Sequence, residues 1–338
     1  MKIKKTDEII QMLNRCNNNF YNDSYNKFLG MKITKENEHI IQNKLKKANC
    51  PEFNQEGLWP SLYLDSESVK SNYHKNIKLD IVSDNNFKFQ KETIQKDILF
   101  NYNEIIDDPN RELNDYIQFR ALKENIATTT LRQNDDVWML DVVSESKTID
   151  KFACKAYGNV LTMGLGIGYF IYEAIHNTNV KSISVIEYSK EVIDMFKKFI
   201  LPQFKSKIQI NIIQGDAYSY FNKEYLDKFD YVFVDIYKSN DDGLFVMNKM
   251  LSNYNPEFNK VDFWIEGSLV ETIHGLIFLH FKNLMKPVKY NFNNPLYKEI
   301  YNKITLYFQK INTTVDDCET LKHYMYDRKI IREILNTK

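Results

Sequence analysis

The stretch Val160-Leu161-Thr162-Met163-Gly164-Leu165-Gly166-Ile167-Gly168-Tyr169-Phe170 decides the fold. An apolar run of strand length enters three alternating glycines and leaves into a second apolar segment. Four of the chain's 10 glycines, Gly158, Gly164, Gly166 and Gly168, fall within eleven residues. Glycine lets the backbone turn sharply and approach a ligand closely, and the helix that follows such a turn offers N–H groups at its start. In an open α/β sheet this is where a ligand sits, at the carboxyl end of the first strand.

The surroundings support a parallel sheet. Short apolar runs at Asn159 to Met163, Ile183 to Ile186, Ile208 to Ile213, Tyr231 to Val234 and Val261 to Ile265 alternate with amphipathic segments. Among these segments Val192, Met195, Phe196, Phe199 and Ile200 mark the clearest helix. Short apolar runs separated by helices predict a doubly wound, mostly parallel α/β sheet with helices on both faces. Upstream, Val137 to Val143 reads as extended, and Ile149, Phe152, Ala153 and Ala156 as a helix stopped by Gly158.

Residues 1–135 read as a mostly helical cap or substrate domain. Ile94, Ile98, Tyr102, Ile105 and Ile106 recur at helical spacing. So do Leu113, Tyr116, Ile117 and Ala121, behind an Asp108-Pro109 start signal. The stretch from Pro51 to Asn86 reads as irregular with a short strand. Residues 136–290 form the ligand-binding domain, and residues 291–338 a helical extension with helices at Pro295 to Lys310 and Cys318 to Leu335. The sheet's last strands are either missing or hidden in Val288 to Phe292.

Composition narrows the function classes. Lys plus Arg (45) equals Asp plus Glu (45), so no basic excess points to nucleic acid. The runs Lys2-Ile3-Lys4-Lys5 and Lys44-Leu45-Lys46-Lys47 read as solvated faces. The four cysteines form no C-x-x-C pair, so neither a zinc site nor a disulfide framework is expected. No apolar segment follows Lys5, and Leu276 to Leu279 is too short to span a bilayer, so the expectation is a cytoplasmic protein with no membrane partner.

The loop spacing separates two cofactors. A dinucleotide fingerprint requires glycine or alanine where Tyr169 stands. Gly164-Leu165-Gly166-Ile167-Gly168 instead resembles the glycine loop of class I S-adenosylmethionine-dependent methyltransferases. Glu187, nineteen residues after Gly168, closes Ser184-Val185-Ile186-Glu187, where an acidic side chain can accept from both hydroxyls of a ribose. Gly215-Asp216-Ala217 ends the third strand and Asp235 the fourth, in the order of the family's motifs. The resemblance spans about a third of the chain. It implies a Rossmann-like fold and an S-adenosylmethionine site formed by Met163, Gly164, Gly166, Gly168, Tyr169, Glu187, Tyr188, Asp216, Ala217 and Asp235. Asp235 is the residue expected to orient or deprotonate a small-molecule methyl acceptor, with Tyr237 second.

The segment is also broadly similar to the spermidine synthase-like branch. That branch carries an acidic residue within the glycine loop and an Asp-x-x-Asp-Pro stretch at the fourth strand. Here Leu165, Ile167 and Tyr169 occupy the loop, and Asp235-Ile236-Tyr237-Lys238-Ser239 follows the strand. An aminopropyl-transferring enzyme and a non-catalytic cofactor-binding subunit are therefore the alternatives to methyl transfer.

Overall fold

The computed structural model describes residues 1–20, 25–54, 59–65, 69–82, 87–106, 108–133 and 136–338. Five strands form the central sheet: β1 (Gly158–Met163), β2 (Val180–Glu187), β3 (Gln209–Gln214), β4 (Tyr231–Val234) and β5 (Val261–Phe263). All pair in parallel, in the order β3-β2-β1-β4-β5. Side chains alternate faces along a strand, and here each face has its own core. Leu161, Met163, Val232 and Val234 pack on one side with the helices Asn240–Asn253, Glu266–Met285 and Pro295–Lys310. Val160, Ile183, Val185 and Phe233 pack on the other with Val143–Lys155, Tyr169–Ala174 and Lys190–Met195. Burial on both faces is the physical reason β1 and β4 read as apolar runs; β3, at the sheet edge, has no fully buried residue.

The sheet stops at β5. Ile265 takes a left-handed conformation (φ 47°) and turns the chain at once into the helix Glu266–Met285. Among the described residues no further strand joins the sheet, and 288–292 is not extended into a ladder. The corner is fixed from the far end of the chain. Arg332, itself buried, forks onto Glu266 through Nε to Oε1 (3.0 Å) and Nη2 to Oε2 (2.5 Å). Its Nη2 also donates to the carbonyl of Val261 at 2.9 Å. The helix Asp7–Phe20 joins the same core through Ile9, Met12, Leu13 and Cys16.

The first 135 residues differ from the helical expectation. Helices occur at Asp7–Phe20, Glu38–Lys47 and Asn72–Asn76. Phe87–Ile94, Ile126–Gln133 and Asp136–Asp141 build a three-stranded antiparallel sheet, and Tyr63–Leu64, Phe119–Leu122 and Phe100–Asn101 a second small one. The misreading has a simple cause. Ile94, Ile98, Tyr102 and Ile106 are spaced by four, which places residues on one face of a helix and equally on one face of a strand. Asp97 with φ at 63° breaks the run. In the second stretch Ile117, Phe119 and Ala121 are buried while Gln118 and Arg120 between them are less so, a period of two. The Asp108-Pro109 start signal is real but short. Asp108 caps a single 3-10 turn, Pro109–Arg111, after which Glu112 and Leu113 turn left-handed. Part of the irregular 51–86 stretch lies outside the described residues; its short strand is Tyr63–Leu64. The hairpin between Ile126–Gln133 and Asp136–Asp141 runs across the expected boundary at residue 135.

Gly158 does not cap the preceding helix, whose cap is Ala156. It opens β1 at φ 64°, where a Cβ would collide with the Asp230 carboxylate that accepts from Asn159 N at 2.7 Å. Among the described residues no helix is long and apolar enough to cross a membrane.

Candidate active site

At the carboxyl ends of the central strands lies a cavity of about 510 Å³, within the roughly 300–1,000 Å³ range of small-molecule sites. The glycine loop forms its floor. Gly164, Gly166 and Gly168 all take positive φ (103°, 50° and 77°), which L side chains rarely adopt. A Cβ on Gly164 would run into the backbone carbonyl of Asp235, so this glycine is what lets β1 and β4 end side by side. Their ends are tied by Asp235 N donating to Met163 O at 2.8 Å. At Gly166 the constraint is looser: a Cβ would stand 3.0 Å from Met139 Cε.

Glu187 closes β2 with its carboxylate buried against the loop. Its Oε2 accepts from Leu165 N at 3.0 Å and its Oε1 from Ser189 N at 2.8 Å. Burial raises its pKa from the ordinary carboxylate value, and the backbone donors partly offset this. Each oxygen keeps a lone pair beyond its backbone bond, so the group is oriented and still able to accept from a ligand. Replacing Glu187 by alanine is expected to weaken binding of an adenosyl cofactor at least about tenfold, because charge-assisted hydrogen bonds contribute roughly 1.5–3 kcal/mol each. Calorimetric titration of the folded variant with S-adenosylhomocysteine checks it; an unchanged dissociation constant removes Glu187 from the site.

Asp216 lines the cavity beside Gly215 and Ala217, with Oδ1 accepting from Tyr218 N at 3.1 Å and capping the short helix Ala217–Tyr220. Tyr188 stands at the rim and is 78 % exposed, a face free to stack on a flat ring. Tyr169 is buried, and its hydroxyl donates to Asp150 Oδ1 at 2.7 Å. Two of the expected contacts lie away from the cavity lining. Met163 is wholly buried in the core beneath it. Gly168 serves the helix Tyr169–Ala174 as its left-handed first cap, and a side chain there would strike the Phe196 ring.

Asp235, just beyond β4, is partly buried in the cavity wall. Among the described residues its carboxylate has no hydrogen-bond donor, and desolvation alone pushes its pKa up to about 7. A carboxyl poised near neutrality is suited to taking a proton from a substrate. Tyr237 is placed differently. Its hydroxyl donates to the Trp264 carbonyl, and burial holds its pKa well above the ordinary phenol value. Trp264 in turn donates from Nε1 to Thr148 Oγ1 at 2.8 Å. Tyr237 is therefore a fixed wall of the cavity. Tyr237→Phe strands a partly buried carbonyl, and unfolding in urea is expected to show a loss of about 1–3 kcal/mol with the dissociation constant for cofactor unchanged. A loss of turnover larger than the loss of stability explains would return Tyr237 to the chemistry.

Several lining residues had no signal in the sequence. Trp138 and Met139 reach the cavity from the strand Asp136–Asp141, and Lys238 and Lys249 line it from the segment after β4. Lys249 Nζ sits 3.8 Å from the Tyr218 ring centroid.

A parallel sheet ordered 3-2-1-4-5, a glycine loop after its first strand and a carboxylate closing its second make a Rossmann-like fold, similar to that of class I S-adenosylmethionine-dependent enzymes, with a cavity at its strand ends. Residues 144–249, about a third of the chain, match the family model of the spermine/spermidine synthase domain. No curated relative of the sequence is found. Among solved structures the chain is similar to spermidine synthase from Thermotoga maritima, at 13% identity over 44% of this chain and 56% of that one, with a TM-score of 0.28. A spermidine synthase in complex with the transition-state analogue AdoDATO matches at 14% identity over 44% and 57%, TM-score 0.28. A protein from Streptococcus mutans described as a SAM-dependent methyltransferase matches at 12% identity over 45% and 43%, TM-score 0.28. The chain spans about half the length of these structures.

Proposed function

We propose that the protein is an S-adenosylmethionine-dependent transferase that moves a methyl group to a small acceptor at Asp235. The observation that carries this reading is the partly buried Asp235 carboxylate, raised to a pKa of about 7, in the same cavity as Glu187 and the glycine loop. Bound there, S-adenosylmethionine supplies a methyl group already activated by its sulfonium. The protein's part is alignment and proton handling. Glu187 holds the ribose hydroxyls and Asp216 with the Ala217 backbone the adenine edge. Tyr188 covers the ring, and Asp235 accepts the proton that the acceptor's amine or hydroxyl must lose.

Methyl transfer is favoured over aminopropyl transfer by charge. The loop from Gly164 to Phe170 has no acidic side chain, while Lys238 and Lys249 line the cavity. Lysines suit a cofactor that keeps its methionine carboxylate, whereas a decarboxylated cofactor presents only an ammonium group. Aminopropyl transfer is the second reading, favoured by the match of residues 144–249 to the spermine/spermidine synthase domain. The leaving product separates the two. Methyl transfer leaves S-adenosylhomocysteine and aminopropyl transfer leaves 5′-methylthioadenosine. Incubation with S-adenosylmethionine, or with its decarboxylated form, plus a small-molecule cell extract is expected to yield S-adenosylhomocysteine from the former alone. Formation of 5′-methylthioadenosine from the decarboxylated form only would overturn the methyl reading.

A further inference from the structure

A second cavity, of about 740 Å³, lies where the helix Asp7–Phe20, the 113–117 segment and the helix Glu266–Met285 meet. Its walls are aromatic and acidic. Tyr25, Tyr116, Phe292 and Tyr297 line it with Asp115 and Glu271, and among the described residues no lysine or arginine does. Asp115 is the unusual member. Its side chain is only 2% exposed, and Oδ1 has no hydrogen-bond partner. The facing titratable group, His274, stands with Nδ1 3.9 Å from Oδ2, beyond hydrogen-bond reach, and neither of its ring nitrogens has a partner.

The nearby guanidiniums are spent elsewhere. Arg111 donates to the Tyr25 hydroxyl at 2.7 Å and to the carbonyls of Asn114 and Asn49 at 2.6 and 2.8 Å. Arg15 is paired with Glu112 at 2.6 Å. A buried carboxylate without donor or counter-ion is unfavourable unless something pairs with it. Here, among the described residues, neither lysine nor arginine lines the cavity beside Asp115, and His274 stands 3.9 Å away without a hydrogen bond to it. Tyrosine and phenylalanine faces attract organic cations, and their carbon frames suit an alkyl chain better than a hydrated metal ion.

We infer that this second cavity binds a small organic ammonium ion, with Asp115 as its anchoring carboxylate and Glu271 at the mouth. The inference stands apart from the reading of the first cavity, since no residue is shared between them.

The test is calorimetric titration of the full chain with n-butylammonium chloride, beside n-butanol and potassium chloride at matched concentration. Saturable binding of the amine alone is expected. Asp115→Asn removes the charge and is expected to weaken that binding at least tenfold while melting at or above the wild-type temperature. Thr272→Phe, which fills the cavity from the helix Glu266–Met285 and leaves Asp115 intact, is expected to weaken it as much. Equal binding of n-butanol marks a merely greasy cavity, and equal binding of potassium marks an inorganic ion site; either overturns the inference. So does wild-type affinity for the amine in either variant.

Discussion

Asp235→Asn is expected to lower turnover by a factor of about 100 or more, the scale on which positioned bases act, while leaving affinity for S-adenosylhomocysteine within a few-fold of wild type. The substitution keeps the shape and deletes the charge. Wild-type turnover is expected to rise with pH through about 7, where the raised Asp235 carboxyl ionises, and then level off. The variant should lack that limb. Stability should move in the opposite sense. The folded pKa lies above that of an ordinary aspartate, so the stability associated with the neutral carboxyl is present at acid pH and lost as pH rises through about 7. At pH 8 the variant should therefore melt at or above the wild-type temperature. A variant that loses cofactor affinity, or that unfolds more readily at pH 8, would place Asp235 in the scaffold.

The largest effect on stability is expected at Arg332. Its guanidinium makes two bonds to Glu266 and further bonds to the carbonyls of Val261 and Phe258 (2.9 and 3.3 Å), and it packs over the Phe258 and Phe263 rings. Removing one partner of a buried ion pair costs about 3–5 kcal/mol, because the other charge is left uncompensated. Arg332→Ala is expected to lose that much in equilibrium unfolding. Replacing both members, with Arg332→Met and Glu266→Gln, should recover part of the loss, since the uncompensated charge is then gone. If the single variant unfolds like the wild type, the C-terminal helix Arg328–Leu335 does not hold the β5 corner.

How far the sequence could be read follows from where each interaction lies along the chain. The central strands of the sheet were legible because burial on both faces writes an apolar run, as in Tyr231-Val232-Phe233-Val234. The glycine loop was legible because three positive-φ residues within five positions leave glycine little competition. Residues 94–121 were not, since a spacing of four fits both periods and only the unnoticed alternation through Phe119 separates them. Arg332 and Glu266 are 66 residues apart, and nothing local announces their pairing. Trp138 and Met139 reach the first cavity because the strand Asp136–Asp141 brings Met139 beside Gly166, a contact between distant parts of the chain. The second cavity gathers residues from Asn19 to Tyr297, so Asp115 gave no local sign of facing aromatic walls.

The central claim is that the cavity at the ends of the parallel strands holds an adenosyl cofactor. Calorimetric titration of the full chain with S-adenosylhomocysteine, beside a titration with NAD, tests it most directly. The account predicts one site per chain with a dissociation constant in the micromolar range for S-adenosylhomocysteine, weakened at least about tenfold in Glu187→Ala, and no comparable binding of NAD. Tighter binding of NAD, or S-adenosylhomocysteine affinity indifferent to Glu187, would contradict it.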